Sequence, residues 1–531
     1  MKMARAIGVR WFVVMALGLL YAVPLAAQDA YAPQPTAADV VPPAPTTVDT
    51  LKTAPTLTDA EVARARLFVS PSSLRLPGNP EAAPIVPDAA DGGAAPEPPQ
   101  DDEFCCDSRH LGLTMIEIGV VLLAPWYFNR HVSDDSTAAI TWDAYKRNIV
   151  QGFEWDADNF NTNMFGHPFG GALYFNAATS NGYNFWQASV FTWMGSFIWE
   201  MFGEANRPAI NDWAATTLGG IGLGESFNRT SRMVWNNSAT GFGRTLRELG
   251  GFALNPTGGA SRLFRGEWTK VGKNPDGRIP IASNGMMQVG ARHTGQTGTN
   301  EPKTSGYYGF WWVYGNPFVI SEEQKPYDAF SLSFQLNANT DKSRLGRLQT
   351  QGTLWGKTLR ESEKSTQVMH FTQFFDYINN EVIETGGSSL ALSFMSRWKL
   401  SDTWTLTARA EPSALLIWGI DSEYSTFTGR SYDMGAGAGA RLWGGLRYKG
   451  QDIVDVGYLL FWQHTLNGAI GDHLLSFIGV RGQYPILGDF GLGATYFLTV
   501  QDSYYRDFPD VFRRFPEGRL YATYFFRGPS R

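Results

Sequence analysis

Beyond about residue 280 the chain alternates. Phe330, Leu332, Phe334 and Leu336 are interleaved with Ser331, Ser333, Gln335 and Asn337, and Leu492, Ala494, Tyr496, Leu498 and Val500 form a second apolar row. A period of two is the strand period, and one apolar and one polar or small face suits a sheet between two different environments. The pattern predicts strands at 283–293, 306–314, 327–338, 344–358, 366–377, 387–398, 403–415, 432–448, 452–464, 473–484, 488–502 and 517–526. Turn residues such as Gly488-Asp489 read as tight connections, and Asp502 to Pro516 as a long outer loop. About twelve strands, many ending in Trp, Tyr or Phe, predict a closed antiparallel barrel with aromatic girdles rather than a soluble sandwich. The run from Gly435 to Ala440 leaves room for curvature or for an inserted element. Leu520 to Phe526 ends the last strand in aromatics, the type of ending read by barrel-assembly machinery, with Arg527 to Arg531 beyond it.

Upstream the periodicity changes. Leu111 to Phe128 is apolar apart from Thr114 and Glu117 and predicts a helix that Pro125 kinks or ends. Asn184 to Phe202 predicts a second helix, with Trp186, Trp193 and Trp199 near one face and Ala188, Gly195 and Ser196 small enough for close packing. Gln187, Ser189, Thr192 and Glu200 make it a poor free-standing span. Both helices are expected to be buried against protein, under the barrel or inside it.

The N-terminus sets the compartment. Lys2, Arg5 and Arg10 precede an apolar stretch from Trp11 to Tyr21, and Ala26-Ala27-Gln28 offers a cleavage site, so residues 1–27 read as a secretory signal peptide. Residues 28–103 read as a disordered linker in the periplasm: 14 of the chain's 29 prolines fall between 31 and 100. Residues 104–268 then form a helical domain and 269–531 the barrel. The fold class is α+β, a Trp/Gly-rich helical domain followed by an outer-membrane barrel of a Gram-negative cell, with outer-membrane lipid and the barrel-assembly machinery as partners.

Composition narrows the function. A net charge of −6 with no long basic run gives no footprint for nucleic acid. Gly219 to Gly224 lacks the preceding strand and spacing of a nucleotide loop and is expected to serve helix packing, so neither nucleotide nor any other organic cofactor is implied. Cys105 and Cys106 are adjacent and lack the second pair of a zinc motif.

The chemistry-bearing residues lie in the helical domain, in the phrases Trp155-Asp156-Ala157-Asp158-Asn159-Phe160, His167-Pro168-Phe169-Gly170-Gly171, Pro208-Ala209-Ile210-Asn211-Asp212 and Leu223-Gly224-Glu225. His167, Glu200, Asp212 and Glu225 are the candidates for a catalytic set, since a His among carboxylates suits general-base work or a divalent metal. Asp156, Asp158 and His167 are the candidate metal ligands, Asp156 and Asp158 having the spacing of calcium oxygens without the rest of the loop. The competing assignment, preferred from the sequence, is structural: His167 capping a helix before Pro168, Asn211 or Asp212 as an N-cap, and Glu200 paired with Arg207 or Arg229. No nucleophile motif accompanies the set.

Those phrases, a WDxDNF block, an HPxxG block and a PxxND…LGE block in that order, resemble the bacterial family catalogued as domain of unknown function 3943. The resemblance covers roughly 110 to 268, with Ala209 standing where a Ser is expected. It implies a secreted outer-membrane protein and no defined activity. The reading is therefore a narrow channel or an envelope-structural barrel with a helical plug or support. The alternative is a membrane-bound enzyme acting on envelope lipid or cell wall through the His/carboxylate set.

Overall fold

The computed structural model describes residues 109–133, 136–275, 277–295, 302–338, 343–425 and 429–528. The signal peptide, the linker and the cysteine pair lie outside them. Among the described residues seven α-helices precede the sheet: α1 (Leu111–His131), α2 (Trp142–Gln151), α3 (His167–Thr179), α4 (Phe185–Phe202), α5 (Ile210–Val234), α6 (Gly241–Leu254) and α7 (Pro256–Phe264). A π-helical turn, Thr162–Gly166, runs directly into α3. Asn184 starts α4 through a capping box with Gln187. Pro125 sits inside α1, which continues past it to His131 instead of ending there.

Twelve antiparallel strands close into a barrel in sequence order: β1 (Ser283–Thr294), β2 (Lys303–Tyr314), β3 (Phe330–Asn337), β4 (Leu345–Ser362), β5 (Ser365–Asn379), β6 (Glu384–Lys399), β7 (Trp404–Asp421), β8 (Tyr432–Tyr448), β9 (Gln451–Asn467), β10 (Gly471–Leu487), β11 (Phe490–Tyr505) and β12 (Val511–Arg527). Every strand expected from the alternation is present. The loop expected over 502–516 shrinks to 506–510, because Ser503 pairs with Val511 and Phe515 packs into the barrel interior. One rim carries the two-residue turns 363–364, 449–450 and 488–489 together with the start of β1 and the end of β12. The same rim carries the longest connection, 315–329, and the opposite rim carries the loop 422–431.

Contacts between strands that are not neighbours identify the interior face. Arg441 on β8 donates to Asp376 on β5 at 2.8 Å, Gln351 on β4 donates to Glu411 on β7 at 3.0 Å, and Gln288 on β1 reaches Gln483 on β10. Arg481 pairs with Asp455, Arg447 with Asp452 and Arg519 with Glu517, all of them buried. Phe318, from the loop between β2 and β3, packs on Val368, Met395 and Trp443 near the short-turn rim, and His370 Nε2 donates to the Pro317 carbonyl there. Near the other rim Ile378, Val382, Ile383, Trp418, Phe461 and Phe515 form an apolar layer. Side chains thus meet across the lumen at several heights. The small residues 435–440 make room for these side chains: a Cβ on Gly439 would meet the Phe461 ring at 2.4 Å.

The alternate residues of the same strands face outward, and the helices stand against them. On β5, Gln373 donates to the Leu218 carbonyl of α5 at 2.9 Å, Phe375 lies against Gly219, and Tyr377 hydrogen-bonds Asn161 at 2.6 Å, while the intervening Phe374 and Asp376 meet Arg441 inside. Ser226 of α5 bonds Thr350 of β4, whose neighbours Gln349 and Gln351 point into the lumen. The helical domain therefore occupies neither of the positions expected for it, under the barrel or within it, but packs on the outer wall. Its core is shared with that wall: Met164, Phe175, Phe185 and Leu223 cluster with Trp312, Phe330, Leu332, Leu348, Phe375, Ile417 and Tyr432.

Helix α5 runs the height of the wall. Its start adjoins Tyr432 at the 422–431 rim through Asn163 and Asp156, and its last turns reach the short-turn rim, where Arg229 pairs with Asp328 at 3.1 Å. Twenty-five residues correspond to about 37 Å of helix. Close approach rests on glycine: a Cβ on Gly220 would lie 2.5 Å from the Cα of Gly171 on α3. Helices α1 and α4 cover the outside of this layer and turn apolar faces outward, with Ile116 64%, Leu123 61% and Val190 55% exposed.

Outer-wall docking predicts the result of a cysteine pair. In a background with Cys105 and Cys106 replaced by Ser, Ser226→Cys with Thr350→Cys should form a disulfide, seen as a gel-mobility shift reversed by reductant. Ser226→Cys with Gln349→Cys, one residue away on the lumen face, should not. The opposite pattern would place α5 inside the barrel.

Candidate functional site

At the 422–431 end of the helical packet, three chain segments converge. The loop before the π turn supplies Asp156 and Asp158, the first residue of α3 is His167, and the first turn of α5 supplies Asp212. A short parallel bridge between Glu154 and Ala209 draws the first and third segments together, with Ile210 N donating to the Glu154 carbonyl at 2.8 Å and Arg207 pairing with Glu154 at 2.7 Å. His167 Nε2 lies 3.4 Å from Asp212 Oδ2 and 3.9 Å from Asp158 Oδ2.

Asparagines hold the carboxylates in place. Asn211 accepts from the Asp156 amide at 3.1 Å and donates to Asp212 Oδ1 at 2.7 Å and to Asp156 Oδ1. Asn163 donates to Asp156 Oδ1 at 3.3 Å and to the Tyr432 hydroxyl at 2.6 Å, and that hydroxyl donates to the Asp158 carbonyl at 3.1 Å. The site is in this way tied to the barrel wall through β8. Glu200 accepts from the Ala209 amide at 2.9 Å, and Glu204 accepts from Trp199 Nε1 at 2.9 Å.

Among the described residues no Lys or Arg pairs with Asp156, Asp158, Glu200, Glu204 or Asp212. Burial pushes the Glu204 carboxyl up to about 7, with Asp158 and Asp156 adding to the rise and His167 opposing it. Burial also raises Asp156, reinforced by Asp158 and resisted by Asn211 and His167.

The structure gathers His167, Asp212, Asp158 and Asp156 and keeps Glu200 nearby, but leaves Glu225 out. Glu225 lies 13 residues beyond Asp212 on α5, about 20 Å along the axis, where it pairs with Arg229 at 2.6 Å and accepts from Asn228. The capping assignments fail. No side chain caps α3 or α5, whose N-cap residue is Ala209, and Arg207 and Arg229 pair with Glu154 and Glu225 instead of Glu200. His167 and Asp212 cap neither helix, and their side chains face each other. Asn163, Glu204 and Tyr432 went unselected as site residues. Asn163 and Glu204 lie four residues from His167 and Glu200 in the sequence, whereas nothing local ties Tyr432, 269 residues from Asn163, to them. Glu117 makes a separate buried lock, accepting from Asn181 at 2.7 Å and from Ser261.

Residues 152–257 match the family model described as domain of unknown function (DUF3943), the family the motif blocks resemble. That segment spans the whole cluster and α5. A search of characterised proteins finds no match. Among solved structures, the NanC porin is 9% identical with a TM-score of 0.24, over 45% of this chain and 99% of that one. The KdgM porin is 9% identical at 0.21, over 45% and 99%, and the outer-membrane expressed OmpT of Vibrio cholerae 10% identical at 0.22, over 46% and 97%. At such scores the likeness carries no functional argument.

Replacing Asn163 with Ala removes the amide that bridges Asp156 and Tyr432, at an expected cost of about 1–3 kcal/mol for the partners left unsatisfied. Hydrogen exchange should show lost protection over residues 152–179 and none over β9–β12. Loss spread evenly over the whole chain would mean that Asn163 does not hold the site to the wall.

Proposed function

We propose that this protein is an outer-membrane scaffold: a sealed barrel that anchors a helical packet lying beside it in the bilayer, with the short-turn rim and the N-terminal linker on the periplasmic side. One observation carries this reading. Part of the face of the wall that ordinarily meets lipid is covered by helices, at outward residues from Trp312 on β2 to Tyr432 on β8, while side chains meet across the lumen that ordinarily conducts. Elsewhere the exterior is apolar and exposed, as at Trp462, Val480, Leu492, Tyr496 and Leu520, which suits lipid. The outward apolar faces of α1 and α4 continue that surface, and helices and closed barrels are the two structures that satisfy their own backbone within hydrocarbon. Of α1's 21 residues only Thr114, Glu117, Ile118 and Val121 are buried, so most of its apolar side chains face away from the packet. Of the channel and envelope-structural readings, the side chains that meet across the lumen support the second.

The enzyme reading is favoured by the meeting of His167 with Asp212 and Asp158 near the 422–431 rim, beside the proposed lipid. Against it, among the described residues no hydroxyl hydrogen-bonds to the His167 ring, so the base has no nucleophile in reach.

Planar-bilayer recording on the purified full-length protein tests the scaffold reading. A folded, heat-modifiable preparation should give no unitary conductance above the bilayer baseline. Stable conductance steps that scale with protein added would restore the channel.

A further inference from the structure

The His167 cluster gathers more carboxylates than its protein partners pair with. Five carboxylates surround one imidazole, and within the described residues none of the five meets a guanidinium or ammonium group. Hydrogen bonds account for part of the set. Asn211 and Asn163 occupy Oδ1 of Asp156, Asn211 occupies Oδ1 of Asp212, and the Ala209 amide occupies Glu200. What is left points one way. Asp212 Oδ2, Asp158 Oδ2 and His167 Nε2 face a common centre, all within 4.8 Å of one another, and His167 Nε2 is buried without a hydrogen-bond partner.

The spacing and donor types select among cations. Zinc with nitrogen and oxygen ligands at about 2.0–2.2 Å places tetrahedral ligand atoms about 3.4 Å apart. The His167–Asp212 separation is 3.4 Å and the His167–Asp158 separation 3.9 Å. Calcium takes six to eight oxygens, whereas the three donors that converge here are one imidazole nitrogen and two carboxylates. The calcium spacing of Asp156 and Asp158 therefore has a different meaning: Asp156 orients Asn211 and Asn163, and Asp158 is the ligand. Asn211 fixes Asp212 from outside, as outer-shell partners of metal ligands do. The π turn ends directly before His167, a feature that inserts one extra residue per turn and often marks functional positions in helices. Asp158 is the most accessible of the three: the side chains of His167 and Asp212 expose 15% and 7% of their surface, that of Asp158 46%.

We propose that Asp158, His167 and Asp212 bind one divalent first-row cation, Zn2+ fitting best, with Asp156, Asn211 and Asn163 as the supporting shell and a fourth position open toward the Asp158 side. The site stands whether or not the packet is immersed in lipid.

The test uses the full chain in detergent, with Cys105 and Cys106 replaced by Ser to remove a competing thiolate site, stripped with chelator and titrated with Zn2+ by calorimetry. The expected result is one Zn2+ per chain, unaffected by millimolar Ca2+, with Asp212→Asn, Asp158→Asn and His167→Ala each weakening binding at least tenfold. Glu225→Gln should bind as the parent does. Heat modifiability confirms that each variant keeps its barrel. Should a variant lose the packet fold, the parent protein still decides, because stripped protein must take up one equivalent and gain protection from hydrogen exchange over 152–179. No saturable uptake, or uptake that all three variants retain, overturns the assignment.

Discussion

The contact between α5 and the outer wall of β4 and β5 is the constraint on which the rest of the molecule depends. It fixes which face of the barrel is covered, sets α3 and α4 in place around α5, and aligns the start of α5 with Tyr432 so that Asp212 meets His167. In lipid this contact gains little from the hydrophobic effect, because the tails it displaces are as apolar as the side chains that replace them. Fit and polar contacts must hold it instead. The glycines at 219, 220, 222 and 224 bring the helix backbone close to α3 and to the wall. Ser226 with Thr350, Gln373 with Leu218, and Arg229 with Asp328 lock its register at three heights. Each such bond within a membrane contributes about 0.6 kcal/mol on average, up to about 2, so several are needed.

The lumen is built on the opposite principle. Arginines and carboxylates are paired there across and along the strands, and breaking one pair leaves a buried charge at a cost of about 3–5 kcal/mol. An interior of this kind is stiff. It suits a barrel whose task is to present an unchanging outer surface to the helices, and it leaves the titratable groups of the packet as the chemically available ones.

The barrel was legible in the sequence because alternation is a local signal, and each strand announces itself. What alternation does not encode is the neighbour on the apolar side. The row Phe330, Leu332, Phe334 reads like the row Leu492, Ala494, Tyr496. The first lies under helices and the second is exposed, and both environments demand the same residues. That equivalence is why the helices were expected beneath or within the barrel. The site was half legible. His167, Asp158 and Asp212 stood out as polar groups in apolar or glycine-rich phrases, whereas Glu225 stood out equally and belongs to an ion pair 13 residues away along the same helix. Helical phase cannot separate the two, because what matters is height along the wall, and height is set by long-range pairing with β4, β5 and β8.

The most direct test of the account is the environment of the packet's outer face. A nitroxide attached at Val190→Cys, in the cysteine-free background and reconstituted in bilayers, reports collision with oxygen, which concentrates in lipid, and with a water-soluble nickel chelate. The account predicts strong relaxation by oxygen and almost none by nickel, matching a label placed at Leu492 on the bare side of the barrel. Free access of nickel to position 190, with none at 492, would put the helices in water and contradict it.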